Sequence, residues 1–403
     1  MRQAIRGPIW GVSLLALALA ASSCSDTTST RTAGTPGATP RADAAVAVSP
    51  LNGALNVPTD ATVLVSARDG TLKNVTVTGR KGPLAGAMSA DGTRWHSWGT
   101  IPPGASYRVT VTAVNPDGKL TQTTSSFTTV KARETFSIES VQPNRDDTGL
   151  TVGVGMPIML TFDKPITDRV SVERNLLVTA SKPVSGAWHW FDDKTVHFRP
   201  KTFWPAHTKV RLEARLAGVR GGDGLYGKRN LTLDFKVGRS QITRGSTDTH
   251  YLTVRRDGRK VRVMPMSAGQ GGAWKYYTTN GIHLAMSREN VTVMTSPGIG
   301  PGESGYYQMT VYDTVRISNS GEYVHAAPWS VGSQGNSNVS HGCVNVSPAD
   351  AKWFLDNTLI GDPIIITGSP RPLEPTNGWG QWQESWKDWL KWSSTKHFVT
   401  EEL

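Results

Sequence analysis

Cysteine is almost missing from these 403 residues: Cys24 and Cys343 are the only two. If the first belongs to an export signal, the chain keeps a single free thiol and no internal disulfide can form. Long apolar runs are scarce as well. The run "GVSLLALALAA" near the start is too short to span a bilayer, and nothing later is apolar enough to do so. Zinc-type ligand spacing and interleaved aromatic-basic stretches are missing too. That argues against a metal site and against nucleic acid as a partner, despite a formal net charge of +11, which suits a polyanionic neighbourhood such as a bacterial envelope. Helical periodicities are few, and 41 Gly with 24 Pro indicate mainly β construction.

What is present divides the chain into segments. Arg2 and Arg6 precede the apolar run, and "AASSC" follows it, so residues 1–24 read as a signal peptide. The ending resembles a bacterial lipobox, which would acylate Cys24 and hold the exported chain at the outer face of the cytoplasmic membrane. Ala21 stands where such sites usually carry leucine, and plain cleavage is the alternative. Residues 25–50 are rich in Ser, Thr, Ala, Pro and Gly and read as a flexible tether. Residues 51–131, with "ATVLVSA" and "YRVTVTAV", alternate as in an immunoglobulin-like sandwich, and residues 132–238 repeat the pattern with "PIMLTFDKPI" and "LTLDFKVG". His189, Asp192, Asp193 and His197 in the second module read as a solvated strand and turn, because they lack metal-ligand spacing.

Residues 239–370 form a further β-rich domain. Asp257-Gly258 signals a hairpin. Ser347, Pro348 and Asp350 signal a helix start, with Gly361 as its expected stop. In residues 371–403, Trp382, Trp386 and Trp389 fall at i, i+4 and i+7, with Trp392 beyond, so an amphipathic helix is expected to dock on the preceding domain.

The remaining thiol, Cys343, lies in "HAAPWSVGSQGNSNVSHGCVNVSP", a polar, glycine-containing setting unlike that of a core cysteine. A free thiol titrates near ~8.5 and needs a base or a positive partner to become a fast nucleophile. The following helix start would favour the thiolate modestly. His341, two residues before it, would share its face on an extended chain, whereas His325 would need a returning strand. Chemistry alone does not rank the two.

"SHGCVN", with His325 upstream of Ser340 across fourteen intervening residues, resembles the active-site signature of the L,D-transpeptidases, the YkuD-like cysteine enzymes of bacterial cell walls. The likeness covers roughly residues 239–370, and two immunoglobulin-like modules behind a lipobox are similar to the actinobacterial members. It implies Cys343 as nucleophile and His325 as general base, oriented by the carbonyl of the next residue, so that Ala326 is tolerated. It implies an oxyanion hole from backbone N–H groups around His341, Gly342 and Cys343. Tyr307 would face the acyl carbonyl, with Ser340, His341, Trp329 and Asn345 lining the pocket. His341 could equally be structural, and Tyr307 an ordinary strand aromatic.

The implied reaction is acyl transfer between peptidoglycan stem peptides. A thioester would form on a tetrapeptide with release of D-alanine, and an amine of a second stem would resolve it into a 3→3 cross-link. No cofactor is required, and β-lactams of the carbapenem class are the implied inhibitors. Water as acceptor would make an L,D-carboxypeptidase, and a protein amine an anchoring enzyme. A non-enzymatic cell-wall-binding lipoprotein is the remaining alternative.

Overall fold

Alternating side chains build strands along nearly the whole chain. The computed structural model describes residues 41–403 apart from Lys81, Gly149, Pro297, Gly298, Ser304 and Gly305, with the side chains of Asp147 and Thr148 also left out. The signal segment, Cys24 and residues 25–40 lie outside the described residues. The architecture is mainly β, with few and short helices.

The first module pairs two sheets. One runs Ala45–Ser49, Leu64–Arg68, Arg94–Ser97, Gly86–Met88; the other runs Ala54–Val57, Leu120–Thr129, Ser106–Val114, Thr71–Gly79, Gly82–Pro83. Tyr107, Val109, Val111 and Ala113 alternate inward along one central strand and share a core with Val65 and Phe127. The expected tether is too long by several residues. "AVAVS" pairs antiparallel with Leu64–Arg68, and Ala44 is buried. Its period-2 alternation was hidden by a composition resembling the tether before it.

The second module has two five-stranded sheets beside a small three-stranded one, and each five-stranded sheet takes an edge strand from the end of the chain. His397–Val399 pairs antiparallel with Ser185–Trp190, and Glu401–Glu402 pairs parallel with Leu176–Ala180. The core between the sheets holds Trp188, Trp190, Trp204, Phe162 and Phe198.

This corrects two expectations about the tail. It is not one amphipathic helix: Trp386–Trp389 makes a single turn capped by Ser385, followed by the 3-10 turn Leu390–Trp392. Its main support is also not the preceding domain of residues 239–370 but the second module. Arg199, 2% exposed, places its guanidinium 4.7, 5.3 and 4.6 Å from the rings of Trp382, Trp386 and Trp389. A buried cation among indole faces supplies the attraction. The indole N–H groups of Trp389 and Trp382 donate to the carbonyls of Ala187 and Gly155 at 3.0 and 2.8 Å. Toward residues 239–370 the tail offers flanking bonds, including Gln383 Nε2 to the Ile282 carbonyl at 2.9 Å.

The two histidines read as solvated are instead covered by this tail. His189 stacks on Trp389 with ring centroids 4.3 Å apart, and Gln381 reaches His197 Nδ1 at 3.1 Å. Asp192 does sit in an exposed turn, accepting the Lys194 and Thr195 N–H groups.

The third region is a nine-stranded sheet. Its order is Gly281–Leu284, Pro363–Thr367, Gln241–Ser246, Tyr251–Arg256, Arg259–Ser267, Val344–Val346, Tyr323–Ala326, Gln308–Arg316, Ser287–Thr295. Arg259–Ser267 joins its halves, pairing first with Tyr251–Arg256 and then, at Met266 and Ser267, with Val344–Val346. Asp257 and Gly258 both take positive φ, 48° and 79°, as a two-residue hairpin turn demands. Ser347 caps the helix Pro348–Asn357, accepting the Asp350 N–H at 3.1 Å. The helix stops four residues before Gly361: Thr358 is extended, and Ile360 leaves to join the core of the second module.

Candidate active site

Two short strands bring the sequence-separated residues together. Tyr323–Ala326 and Val344–Val346 run parallel, with Val324 opposite Val344, His325 opposite Asn345 and Ala326 opposite Val346. Cys343 immediately precedes the second strand, so it and Asn345 share one face with Tyr323 and His325. A strand spacing of about 4.8 Å and a two-residue rise of about 6.6 Å put the Cα atoms of Cys343 and His325 about 8 Å apart, within side-chain reach.

The ring of His325 is fixed. The residue is 3% exposed, and Nδ1 lies 2.9 Å from the Ala326 carbonyl. A carbonyl only accepts, so Nδ1 carries the proton and Nε2 keeps the lone pair. Burial holds His325 below the ordinary imidazole range, while the bonds to Ala326 and Asn345 pull the other way. Asn345 is in turn held by donation from Nδ2 to Ser330 Oγ at 3.1 Å.

The thiol is equally constrained. Cys343 is half-buried, and Sγ donates to the Gly321 carbonyl at 3.6 Å. Burial pushes the thiol up to about 12; the Tyr323 N–H pulls it down and the nearby Glu322 pushes it up. The expected help from the helix start at Pro348 is therefore outweighed by desolvation. Both shifts run toward the neutral forms, thiol and imidazole.

The turn before Cys343 is knotted by hydrogen bonds. Ser340, 7% exposed, donates from Oγ to the Cys343 carbonyl at 2.6 Å and accepts the Gly342 N–H at 3.1 Å. The Gly342 carbonyl accepts from Thr278 Oγ1 at 2.7 Å. This corrects the expected oxyanion hole: the Gly342 N–H is occupied, while those of His341 and Cys343 have no bond within the described residues. Gly342 has φ +128°, a region that side-chain-bearing residues avoid. The chain there is bent rather than extended, so His341 is not simply a same-face neighbour of Cys343.

His341 is exposed and sits between two tyrosines, stacked on Tyr307 at 5.5 Å and edge-on to Tyr276 at 4.8 Å. Burial raises the Tyr307 phenol above its ordinary range, with further contributions from Cys343 and Tyr276, which places the phenol near the sulfur. Trp329, 55% exposed, lies 6.0 Å from the His325 ring. The structure thus brings His325, Trp329, Ser340, His341, Asn345 and Tyr307 into the neighbourhood of the turn that carries Cys343. Sequence reasoning missed Thr278, Tyr276 and a buried group of Glu322, Thr279 and His283 behind the sulfur. Their segments, "YYTTNGIH" and "GEYVHA", carry no spacing that marks them.

A half-buried thiol, an imidazole with a free lone pair and backbone donors at the same turn have the makings of thiol-dependent acyl transfer. The comparisons place that chemistry. Residues 243–366 match the L,D-transpeptidase catalytic domain family (YkuD), and residues 54–220 match the bacterial Ig domain family. The chain is 36% identical to L,D-transpeptidase 2 of Mycobacterium tuberculosis, over 87% of this chain and 86% of the relative. It is 34% identical to L,D-transpeptidase 5 of the same species, over 86% of this chain and 76% of the relative. A solved LD transpeptidase in complex with imipenem is 38% identical with a TM-score of 0.49, over 57% of this chain and 99% of that one. The protein belongs to the L,D-transpeptidase family and is an enzyme of that class.

Proposed function

We propose that this enzyme makes 3→3 cross-links between peptidoglycan stem peptides, with Cys343 as nucleophile and His325 as its base. The observation that carries the reading is the locked ring: with Nδ1 donating to Ala326, only Nε2 can receive the thiol proton. As the sulfur attacks the carbonyl between the third stem residue and the terminal D-alanine, its proton passes to Nε2. The oxyanion forms against the N–H groups of His341 and Cys343. His325 then protonates the departing D-alanine amine, leaving a thioester. The side-chain amine of the third residue of an acceptor stem attacks, gives up its proton to His325 and releases the sulfur.

His341, held between Tyr276 and Tyr307, lines this pocket with Trp329, Ser340 and Asn345. A carbapenem offers a strained amide to the same sulfur and would acylate it. The signal pattern at residues 1–24 supports export and anchoring through Cys24 at the outer face of the membrane.

Product analysis on a defined tetrapeptide muropeptide tests the reading. A cross-linked dimer with released D-alanine is expected, and Cys343→Ala should form neither. Tripeptide without dimer would make the enzyme an L,D-carboxypeptidase instead.

A further inference from the structure

A donor stem brings a negative charge close to the sulfur, because its terminal D-alanine ends in a carboxylate one residue beyond the bond that Cys343 attacks. The groups that carry the acyl-transfer step give that charge no partner: His325 serves the thiol proton, and the backbone donors serve the oxyanion.

The sheet places a cation within reach. Arg316 lies opposite Tyr323 on the neighbouring strand, and the register that sets Val324 opposite Val344 sets Tyr323 beside Cys343. Arg316, Tyr323 and Cys343 therefore stand in one row across three strands. The guanidinium lies 6.0 Å from the centre of the Tyr323 ring. Arg316 and Cys343 both act on the Tyr323 phenol, which is thus near the cation and the sulfur alike.

Arg316 is braced without being neutralised. Its Nε donates to the Ser318 carbonyl at 3.0 Å, and Nη2 approaches the Asn319 carbonyl at 3.5 Å. Among the described residues no carboxylate forms an ion pair with it. Glu289, the acid on that side of Tyr323, accepts instead from the hydroxyls of Ser287 and Thr292 at 2.8 and 2.9 Å. A half-buried arginine fixed in this way keeps the outer edge of its fork for a planar, two-oxygen partner. Lys275 is the other cation near the site, 5.2 Å from the Tyr276 ring, but it stands exposed on a short turn.

The lengths agree. Two strand spacings of about 4.8 Å separate the Cα atoms of Arg316 and Cys343 by roughly 10 Å. A sulfur about 3 Å from the attacked carbon, one residue of about 3.5 Å and a charge-assisted bond of about 2.8 Å span nearly the same distance.

We propose that Arg316 binds the terminal D-alanine carboxylate of the donor stem and selects donors by that charge. This deepens the acyl-transfer reading and rests on it for the identity of the donor.

The test is binding to the full chain carrying Cys343→Ala, which cannot be acylated. Three synthetic tetrapeptide stems are titrated and followed by NMR: one ending in D-alanine, one ending in D-alaninamide, and one amidated only at its inner carboxylates. The first and third should bind at least about tenfold tighter than the second, and Arg316→Gln should erase that difference. A ratio of acid to amide that Arg316→Gln leaves unchanged, one that Lys275→Gln erases, or one that follows the inner carboxylates overturns the proposal. Should Arg316→Gln fail to fold, Arg316→Lys decides. It keeps the charge and loses the fork, so the ratio should fall at least about threefold, and an unchanged ratio refutes the assignment. Because binding is read rather than turnover, a wild-type protein that forms no thioester with these stems would fail the acyl-transfer reading while the ratio still decides the role of Arg316.

Discussion

The two immunoglobulin-like modules look alike in sequence pattern and differ in how they are closed. The first completes both sheets with its own strands, residues 45–129, and buries its core by itself. The second borrows an edge strand for each sheet from residues 397–402, after the chain has passed through the whole catalytic domain. It also shares Ile360 with that domain, and the Gly153 N–H donates to the Ile360 carbonyl at 2.7 Å. The first module therefore closes its sheets and core with its own strands, whereas the second module takes strands from the tail and a core residue from the catalytic domain.

Removing residues 375–403 is the most severe way to break this comparison. It deletes both edge strands and strips Arg199 and His189 of their cover. At least about 5 kcal/mol should be lost from buried surface and unpaired donors, or about 10–20 °C in Tm, with catalysis falling in parallel. Calorimetry should show the transition of the first module unmoved.

A single side chain should give a smaller version of the same effect. Glu173, 2% exposed, accepts from Trp190 Nε1, from the hydroxyls of Ser393 and Thr395, and from the N–H groups of Ser394 and Thr395. Glu173→Ala leaves these donors without their partner and should cost about 2–4 kcal/mol, read as a lower urea midpoint for the second module.

Acid should separate the modules next. Burial and the neighbouring His189 push His197 down to about 3 from 6.5, against the pull of Asp192, and burial lowers His189 as well. A histidine depressed in the folded state contributes stability that is full above the unfolded value and is lost as pH falls below it. The second module should therefore lose about 1.4 kcal/mol per pH unit through His197 as pH falls from about 6.5 toward 3, with His189 acting in the same direction. Equilibrium unfolding followed through the buried tryptophans of that module would measure the slope.

Deleting residues 1–131 should have the smallest effect. The bonds across that junction include Thr100 Oγ1 to the Ala217 carbonyl, but neither core crosses it. Transpeptidation in solution should stay within about twofold of the full chain, as expected for a separable domain.

The modules also show what the sequence carries openly. Period-2 alternation and turn residues identify the mainly β class, because each strand advertises its own two faces. The Ser347 cap is legible for the same reason: its bond is local. The closing strands of the second module are not, since "HFV" and "EE" gain partners only from residues more than 200 positions away. The indole spacing of the tail reads as a helix, yet the buried Arg199 determines where it lies.

At the site, contiguity again decides. The cluster from Ser340 to Asn345 and its spacing from His325 are visible, and the carbonyl expected to hold the histidine ring is the one that does. Glu322, Thr279 and His283 are brought together by folding alone and carry no signature. The occupied Gly342 N–H depends on a serine rotamer that no pattern reveals.

Intact mass after incubation with a tetrapeptide donor tests the central claim most directly. The wild-type protein should gain the donor minus D-alanine at Cys343. His325→Ala should slow this by about 10²–10⁴, and His341→Ala should slow it less. Equal adduct formation in wild type and His325→Ala, or a greater loss with His341→Ala, would contradict the account.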